Sequence, residues 1–391
     1  MLEKMLNGMP LHAQRKVEAT MDNINTLTNI KNKRVMASLG PSVVRGMFRK
    51  QGKKYDNTGM VSEHAVDFDW TYKMDFPEMQ ELYRRAVGNQ WDGDKHIDWS
   101  IDVDPLNPHV PIIADRFIPM ETLREHGVKL TTTEFREFNF NIACWILSQM
   151  MHGEQGALYA SCQVTEAVRW FDGKLYGATQ VVDEARHLEV FMRYLDTKLG
   201  KLYDVNDNMF SILDGLLTDS RWDIKFLGMQ IMVEGLALGA FTTVHNMSKE
   251  PLLKSILRYV IQDEARHVHY GVLALKKTFE EELTPSERRE RQEWAFEVAV
   301  LMRNRFLGHE IYEEWFEGIM TRKTWNKLIS ESDAMNTLRK TMFKRLVPNL
   351  ECIGLLPDSM LKHYEEAGLT HYMGGKSAME LTDADMMADL H

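Results

Sequence analysis

The sequence predicts an all-α chain built on a four-helix bundle, and three observations carry that prediction. Residues 183–187 and 263–267 both read Asp-Glu-Ala-Arg-His. A glutamate precedes each copy by the same 30 residues, Glu154 before Glu184 and Glu234 before Glu264. Helical periodicity fills most of 134–350, with no alternating run of strand length. The second set is the first displaced by 80 positions, and the flanks agree: Glu154-Gln-Gly-Ala-Leu-Tyr-Ala against Glu234-Gly-Leu-Ala-Leu-Gly-Ala. One Glu plus one Glu-x-x-His from each half is a side-chain set that holds two metals inside four helices.

In chain order, residues 1–60 read as a basic, extended arm. Its first 54 residues carry eleven Lys or Arg against Glu3, Glu18 and Asp22, a net of +8 on a chain whose total is −10. Few aromatics and no binding module accompany that charge, so nucleic acid is not the expected partner. The arm is expected to be solvated, to pack across a homodimer, or to dock an acidic electron donor. Residues 61–133 are expected to hold a helix followed by an extended wrap, since 91–117 is rich in Trp, Asp and Pro. His96, Asp98, Asp102, Asp104 and His109 lie in that wrap without the spacing of a metal loop. The core, 134–282, divides into helices at 134–171, 175–200, 221–247 and 251–282. Phe171-Asp172-Gly173-Lys174 reads as the first connecting turn, Gly200 as a stop and Pro251 as a start. Thr284-Pro285 opens the added helices of 283–350, expected near 287–331 and 333–349. Residues 351–391 end in an acidic tail with Glu380, Asp383, Asp385 and Asp389.

Composition excludes several classes. Hydrophobic content of 44% with 27% charged is that of an ordinary globular chain. No run of about 18 apolar residues marks a membrane span, and the first residues lack the apolar stretch of a secretory signal. Cys144, Cys162 and Cys352 form no CxxC pair. A reducing, cytoplasmic setting is the expectation.

The chemistry rests on geometry. Residues three apart share a helix face, so Glu184 with His187, and Glu264 with His267, can address one metal. Antiparallel neighbours meet at positions equidistant from the loop that joins them, which brings Glu154 level with Glu184 and Glu234 level with Glu264. A single Glu-x-x-His is usually a solvated ion pair; the duplication, set among Ala and Leu, is what makes this one specific. Six ionisable groups on buried faces are costly unless metals offset their charge. Asp183 and Asp263 are the natural acceptors for the second N–H of the histidine on the opposite helix. Arg186 and Arg266 are then expected either to pair with those aspartates or to form exposed ion pairs. Four carboxylates with two imidazoles suit iron, with manganese or a mixed Mn/Fe centre as alternatives, and two ions per chain that act on O2 are expected.

Over residues 134–282 the chain resembles the ferritin-like di-iron carboxylate proteins. The doubled Asp-Glu-x-Arg-His is most similar to the oxygen-activating branch: hydroxylase components of multicomponent monooxygenases, arylamine N-oxygenases and benzoyl-CoA epoxidase-type enzymes. The resemblance implies hydroxylation, epoxidation or N-oxygenation of a small organic substrate, and carries Glu154, Glu184, His187, Glu234, Glu264 and His267 over as ligands. Three positions depart from individual branches. Phe191 stands where ribonucleotide reductase small subunits have a radical tyrosine, Leu238 where multicomponent monooxygenases usually have threonine, and Val260 where arylamine N-oxygenases add a histidine. Iron oxidation and storage, peroxide detoxification, or a non-catalytic subunit role are the alternatives.

Helix geometry nominates Met150, Ala157, Leu158, Gln230, Ala237 and Leu238 as pocket residues, with Phe191 one turn beyond His187. His152, His245 and His269 fall off the ligand spacing. No flavin, nicotinamide or iron–sulfur motif is present, so two electrons per turnover must come from outside, from a ferredoxin or a reductase.

Overall fold

The computed structural model describes residues 6, 8–54, 57–114, 117–369, 375–381 and 390. Among them every regular element is helical. The first long one, α5 (Thr132–Ala167), starts at a capping box: the Thr131 hydroxyl accepts from Glu134 N–H while the Glu134 carboxylate accepts from Thr131 N–H. It runs antiparallel into α6 (Phe171–Tyr194), extended by a wide π-type turn over Leu195–Leu199 and stopped by Gly200 at φ +65°. The second pair is α8 (Trp222–Met247) and α9 (Pro251–Lys277). Glu250 caps α9 by accepting from the N–H groups of Leu252 and Leu253, and Pro251 occupies the first turn, where it removes no helical hydrogen bond. Helix α5 packs along α6 and α8 along α9, while α6 meets α9 and α5 meets α8.

The first connecting turn lies earlier than the sequence predicted. Helix α5 ends at Ala167, and Phe171, Asp172 and Gly173 belong to the first turn of α6. Asp172 suits that helix start electrostatically, and its Oδ2 accepts the Phe76 N–H at 3.1 Å. Gly173 is needed for close packing, since a Cβ there would sit 2.9 Å from Val168 Cγ2. The corrected loop has Arg169 at its centre, midway between Glu154 and Glu184; Lys249 is likewise midway between Glu234 and Glu264.

The basic segment is not extended. It folds into α1 (Leu11–Asn29) and α2 (Lys33–Val43), and α2 continues through a π-type turn to Phe48. Val35, Leu39, Val43 and Met47 recur every fourth residue and are buried. They face α7 (Asp207–Thr218), a helix in a stretch where none was predicted. Five of the segment's cations are engaged within the chain: Arg45 pairs with Asp214, Lys50 and Lys53 with Asp207, Arg15 with Glu313 and Glu317, and Arg34 with Glu290.

Between the two regions, α3 (Pro77–Gly88) lies across α6 and α9, and a non-helical stretch then runs to the short α4 (Met120–Glu125). That stretch crosses the ends of α6 and α8: Lys198 Nζ donates to the carbonyls of Trp99 and Ile101 at 3.0 and 2.8 Å, and Ala114 N–H donates to Met247 O at 3.1 Å. Beyond α9, the single helix expected over 287–331 is three: α10 (Pro285–Arg305), α11 (His309–Trp315) and α12 (Arg322–Glu331). The first break comes at Gly308, φ +55°. Helix α13 (Asp333–Cys352) lies along α8, and α14 (Asp358–Glu366) packs on α10. Asp383, Asp385 and Asp389 of the expected acidic tail lie outside the described residues. Helix α8 is long and apolar enough, by length and composition, to cross a membrane, which the search for apolar runs in the sequence did not register. Its most apolar window is 94% buried inside the protein.

Candidate metal centre

The six residues singled out by spacing converge in the space enclosed by α5, α6, α8 and α9. None exceeds 4% exposure. Glu154, Glu184, His187 and Glu264 offer atoms within 4.8 Å of one another, as do Glu184, Glu234 and His267. Both imidazoles turn Nδ1 inward. His187 Nδ1 lies 3.3 Å from Glu154, 3.5 Å from Glu184 and 3.2 Å from Glu264. His267 Nδ1 lies 3.0 Å from Glu184 and 3.8 Å from Glu264. Glu184 and Glu264 therefore sit between the two histidines, with Glu154 on the His187 side and Glu234 on the His267 side.

Outward, each histidine reaches the aspartate of the opposite helix. His187 Nε2 is 3.1 Å from Asp263 Oδ2, and His267 Nε2 is 3.3 Å from Asp183 Oδ2. Arg186 pairs closely with Asp183 and lies 3.5 Å from Asp263; Arg266 pairs closely with Asp263 and lies 3.6 Å from Asp183. The arginine side chains are only 11% and 5% exposed, so these are buried pairs and not solvated ones.

Three further residues complete the frame, and none was named from the sequence. Trp91 Nε1 donates to Asp263 Oδ2 at 2.7 Å, and its ring lies under the Arg186 guanidinium at 5.0 Å. Gln90 Nε2 donates to Asp183 Oδ1 at 3.2 Å. Both follow directly on α3. Gln180, one turn before Glu184 on α6, donates to Glu184 Oε1 at 3.3 Å and Glu234 Oε1 at 2.9 Å; that position was open to the helical-face argument. Upstream of Glu234, α8 winds as a π-helix over Leu227–Val233, a local widening often found at functional sites.

Electrostatics set these groups against one another. Burial, then the neighbouring Glu264, pushes Glu154 well above the usual carboxylate range; burial and Glu184 do the same to Glu234. Burial also opposes ionisation of Glu184, but His267 and His187 overcome it and hold that carboxyl below its usual range. Burial likewise opposes ionisation of Asp263, which His187 and Arg266 hold low. For His187 burial opposes protonation, yet Asp263 and the three surrounding glutamates hold it well above the ordinary imidazole range.

The donor set fits metal. Glu184 Oε2, Glu234 Oε2, Glu264 Oε2 and His267 Nδ1 are buried and have no hydrogen-bond partner, an expensive condition for four polar atoms in one place. Four carboxylates and two neutral imidazoles carry a charge of −4, which two divalent ions balance, while Arg186 and Arg266 balance Asp183 and Asp263. The buried Glu and His groups can thus hold metal. Among the described residues no other His, Cys, Asp and Glu group does so. His152 and His245 instead meet Tyr203 O and Asn246 Oδ1, and His269 is also outside the cluster.

A cavity adjoins the cluster and shares Glu154, Glu234 and Glu264 with it. Of the nominated pocket residues, Met150, Ala157 and Ala237 line it, whereas Leu158, Phe191, Gln230 and Leu238 do not. Gln230 lies in the π-wound segment, which changes the face it presents. It packs where a Cβ on Gly271 would come within 2.4 Å of Gln230 Cβ. Phe191 stacks at 5.7 Å behind Phe241, which does line the cavity. Leu158 is partly exposed and Leu238 is buried in the core. Comparison of the chain with family models and with curated proteins found no match.

Proposed function

We propose that the chain is a ferritin-like four-helix di-iron protein that uses O2 and two external electrons to oxidise a small organic substrate, by hydroxylation, epoxidation or N-oxygenation. The observation that carries this reading is the convergence of Glu154, Glu184, His187, Glu234, Glu264 and His267 with four buried atoms left without partners. When bound, a pair of ferrous ions with open positions supplies the means to bind and reduce dioxygen. Glu154, Glu184, His187, Glu234, Glu264 and His267 would hold the metal, Glu184 and Glu264 lying between the two histidines. Asp263 and Asp183 accept the Nε2 protons of His187 and His267, which keeps Nδ1 free to ligate and fixes both ring planes. Gln180 steadies Glu184 and Glu234 from the side. The walls of the adjoining cavity are mostly apolar.

Metal analysis after anaerobic loading with ferrous ion tests the reading, with two irons per chain expected. Glu234→Ala and His267→Ala should each remove most of that metal. Zinc alone in the purified protein, or full metal content in both variants, would overturn it. Oxygen uptake then separates the alternatives. An oxygenase stops near two irons oxidised per chain without substrate and speeds up with one, whereas a storage protein oxidises many.

A further inference from the structure

The cavity beside the cluster is narrow, about 30 Å³ in volume, and its mostly apolar walls include Ile146, Met150, Val233, Phe241 and Phe306. Arg305, the last residue of α10, also lines it and is 6% exposed. Its Nη1 meets only Met209 Sδ, a weak acceptor at 3.5 Å, and its Nε has no partner. The guanidinium lies 4.5 Å from the centre of the Phe306 ring. Three other buried arginines are paired, Arg266 with Asp263, Arg291 with Asp223 at 2.8 Å and Arg322 with Asp22 at 3.1 Å. Among the described residues no carboxylate lies within salt-bridge distance of Arg305.

An unpaired buried cation costs several kcal/mol, and arginine cannot avoid the cost by losing its proton at neutral pH. Burial alone pushes this one down, to about 10, still ionised at pH 7. The chain therefore keeps a charge at the wall of a mostly apolar space without a carboxylate of the described residues in salt-bridge reach of it. The planar, five-donor guanidinium is the side chain best matched to a carboxylate.

We propose that Arg305 anchors the carboxylate of the substrate, so that the site takes a small carboxylic acid whose remaining body is apolar. This rests on the oxygenase reading for its chemistry but not for its binding. The carboxylate pairs with Arg305, the ring or chain lies along Phe241 and Ile146, and the small residues Gly153, Ala157, Ala237 and Ala240 line the same space as Glu154 and Glu234.

The test is calorimetric titration of the full chain, as purified and after ferrous loading under nitrogen. The probes are benzoate, octanoate, their primary amides and phenyl phosphate, applied to wild type, Arg305→Met and Arg305→Lys. Wild type should bind one or both acids at least about 10-fold more tightly than the matching amides. Arg305→Met should lose that preference, keep its iron content and unfold at the same or a higher temperature, because it removes an unpaired buried charge and fills the space. Arg305→Lys should keep part of the preference. Equal acid binding by wild type and Arg305→Met overturns the proposal, as does phenyl phosphate outcompeting both acids or no binding of either acid by wild type. Destabilisation or misfolding of Arg305→Met also overturns it, by giving Arg305 a structural role. Iron content is read independently: Arg305-dependent acid binding in a chain holding no iron pair would sink the oxygenase reading and leave this one standing.

Discussion

Asp263→Asn alters one atom and should disturb four interactions, one of them with Arg186 at 3.5 Å. The Asp263 carboxylate accepts Trp91 Nε1–H at 2.7 Å and His187 Nε2–H at 3.1 Å, and pairs closely with Arg266. Asparagine keeps the shape but turns an NH2 towards one of these donors and removes the charge. Arg266, with its side chain 5% exposed, would keep the Gln262 carbonyl at 3.1 Å and, among carboxylates, Asp183 at 3.6 Å. Removing one partner of a buried pair costs about 3–5 kcal/mol of stability, and loss of the acceptor behind a ligating histidine lowers metal affinity about 10–100-fold. Trp91→Phe is the control: it removes one hydrogen bond to a charged acceptor, worth about 1.5–3 kcal/mol, and leaves the ion pairs in place. Denaturant unfolding in chelator measures the first quantity, and titration with ferrous ion under nitrogen measures the second. The reasoning fails if Asp263→Asn unfolds within about 0.5 kcal/mol of wild type, the scatter of an ordinary surface change, and binds metal equally well.

Two further outcomes follow from packing and burial. Gly239→Ala would place a Cβ 2.5 Å from Met342 Cα on the backbone of α13, which cannot yield as a side chain can. Overpacking of this kind costs about 1–3 kcal/mol or more, and thermal unfolding should show it, whereas Gly318→Ala, with open space at its Cβ, should be nearly silent. Glu297 is pushed up from 4.5 to about 7, by burial first and then by Glu293. The folded state therefore binds more protons than the unfolded one between those values, and this group's contribution to stability falls as pH rises through that window. Glu297→Gln should flatten the decline between pH 5 and pH 8 by no more than about 3 kcal/mol, and less for its partial exposure; an unchanged slope contradicts the assignment.

The parts of the site legible in the sequence obey a short-range rule. Glu184 with His187, and Glu264 with His267, are fixed by helical spacing, and Glu154 and Glu234 by the symmetry of a hairpin about its loop. That is why the cluster was readable even though the first turn was misplaced. Trp91 was not readable, because it reaches Asp263 from a non-helical stretch 172 residues earlier in the chain. No periodicity predicts such a contact. Gln230 failed as a pocket residue because the face argument assumes ordinary α-helical winding, and Leu227–Val233 does not wind that way; Leu238 lies in ordinary α-helix beyond Glu234 and packs into the core instead. The basic arm misled for another reason. Charge dominated its reading, while Val35, Leu39, Val43 and Met47 already marked a buried face. Arg305 carries no local signal at all; only its surroundings make it unusual.

The crossing of the two aspartates has a consequence for how the centre comes into being. Asp183 supports the histidine of the second hairpin and Asp263 that of the first, so neither hairpin holds the acceptor for its own histidine. A fragment spanning α5 and α6 would contain three of the six inward-facing groups, yet its imidazole would have nothing to set its tautomer. The orientation of both histidines is thus a property of the docked pair. Any motion that parts them loosens both histidines at once.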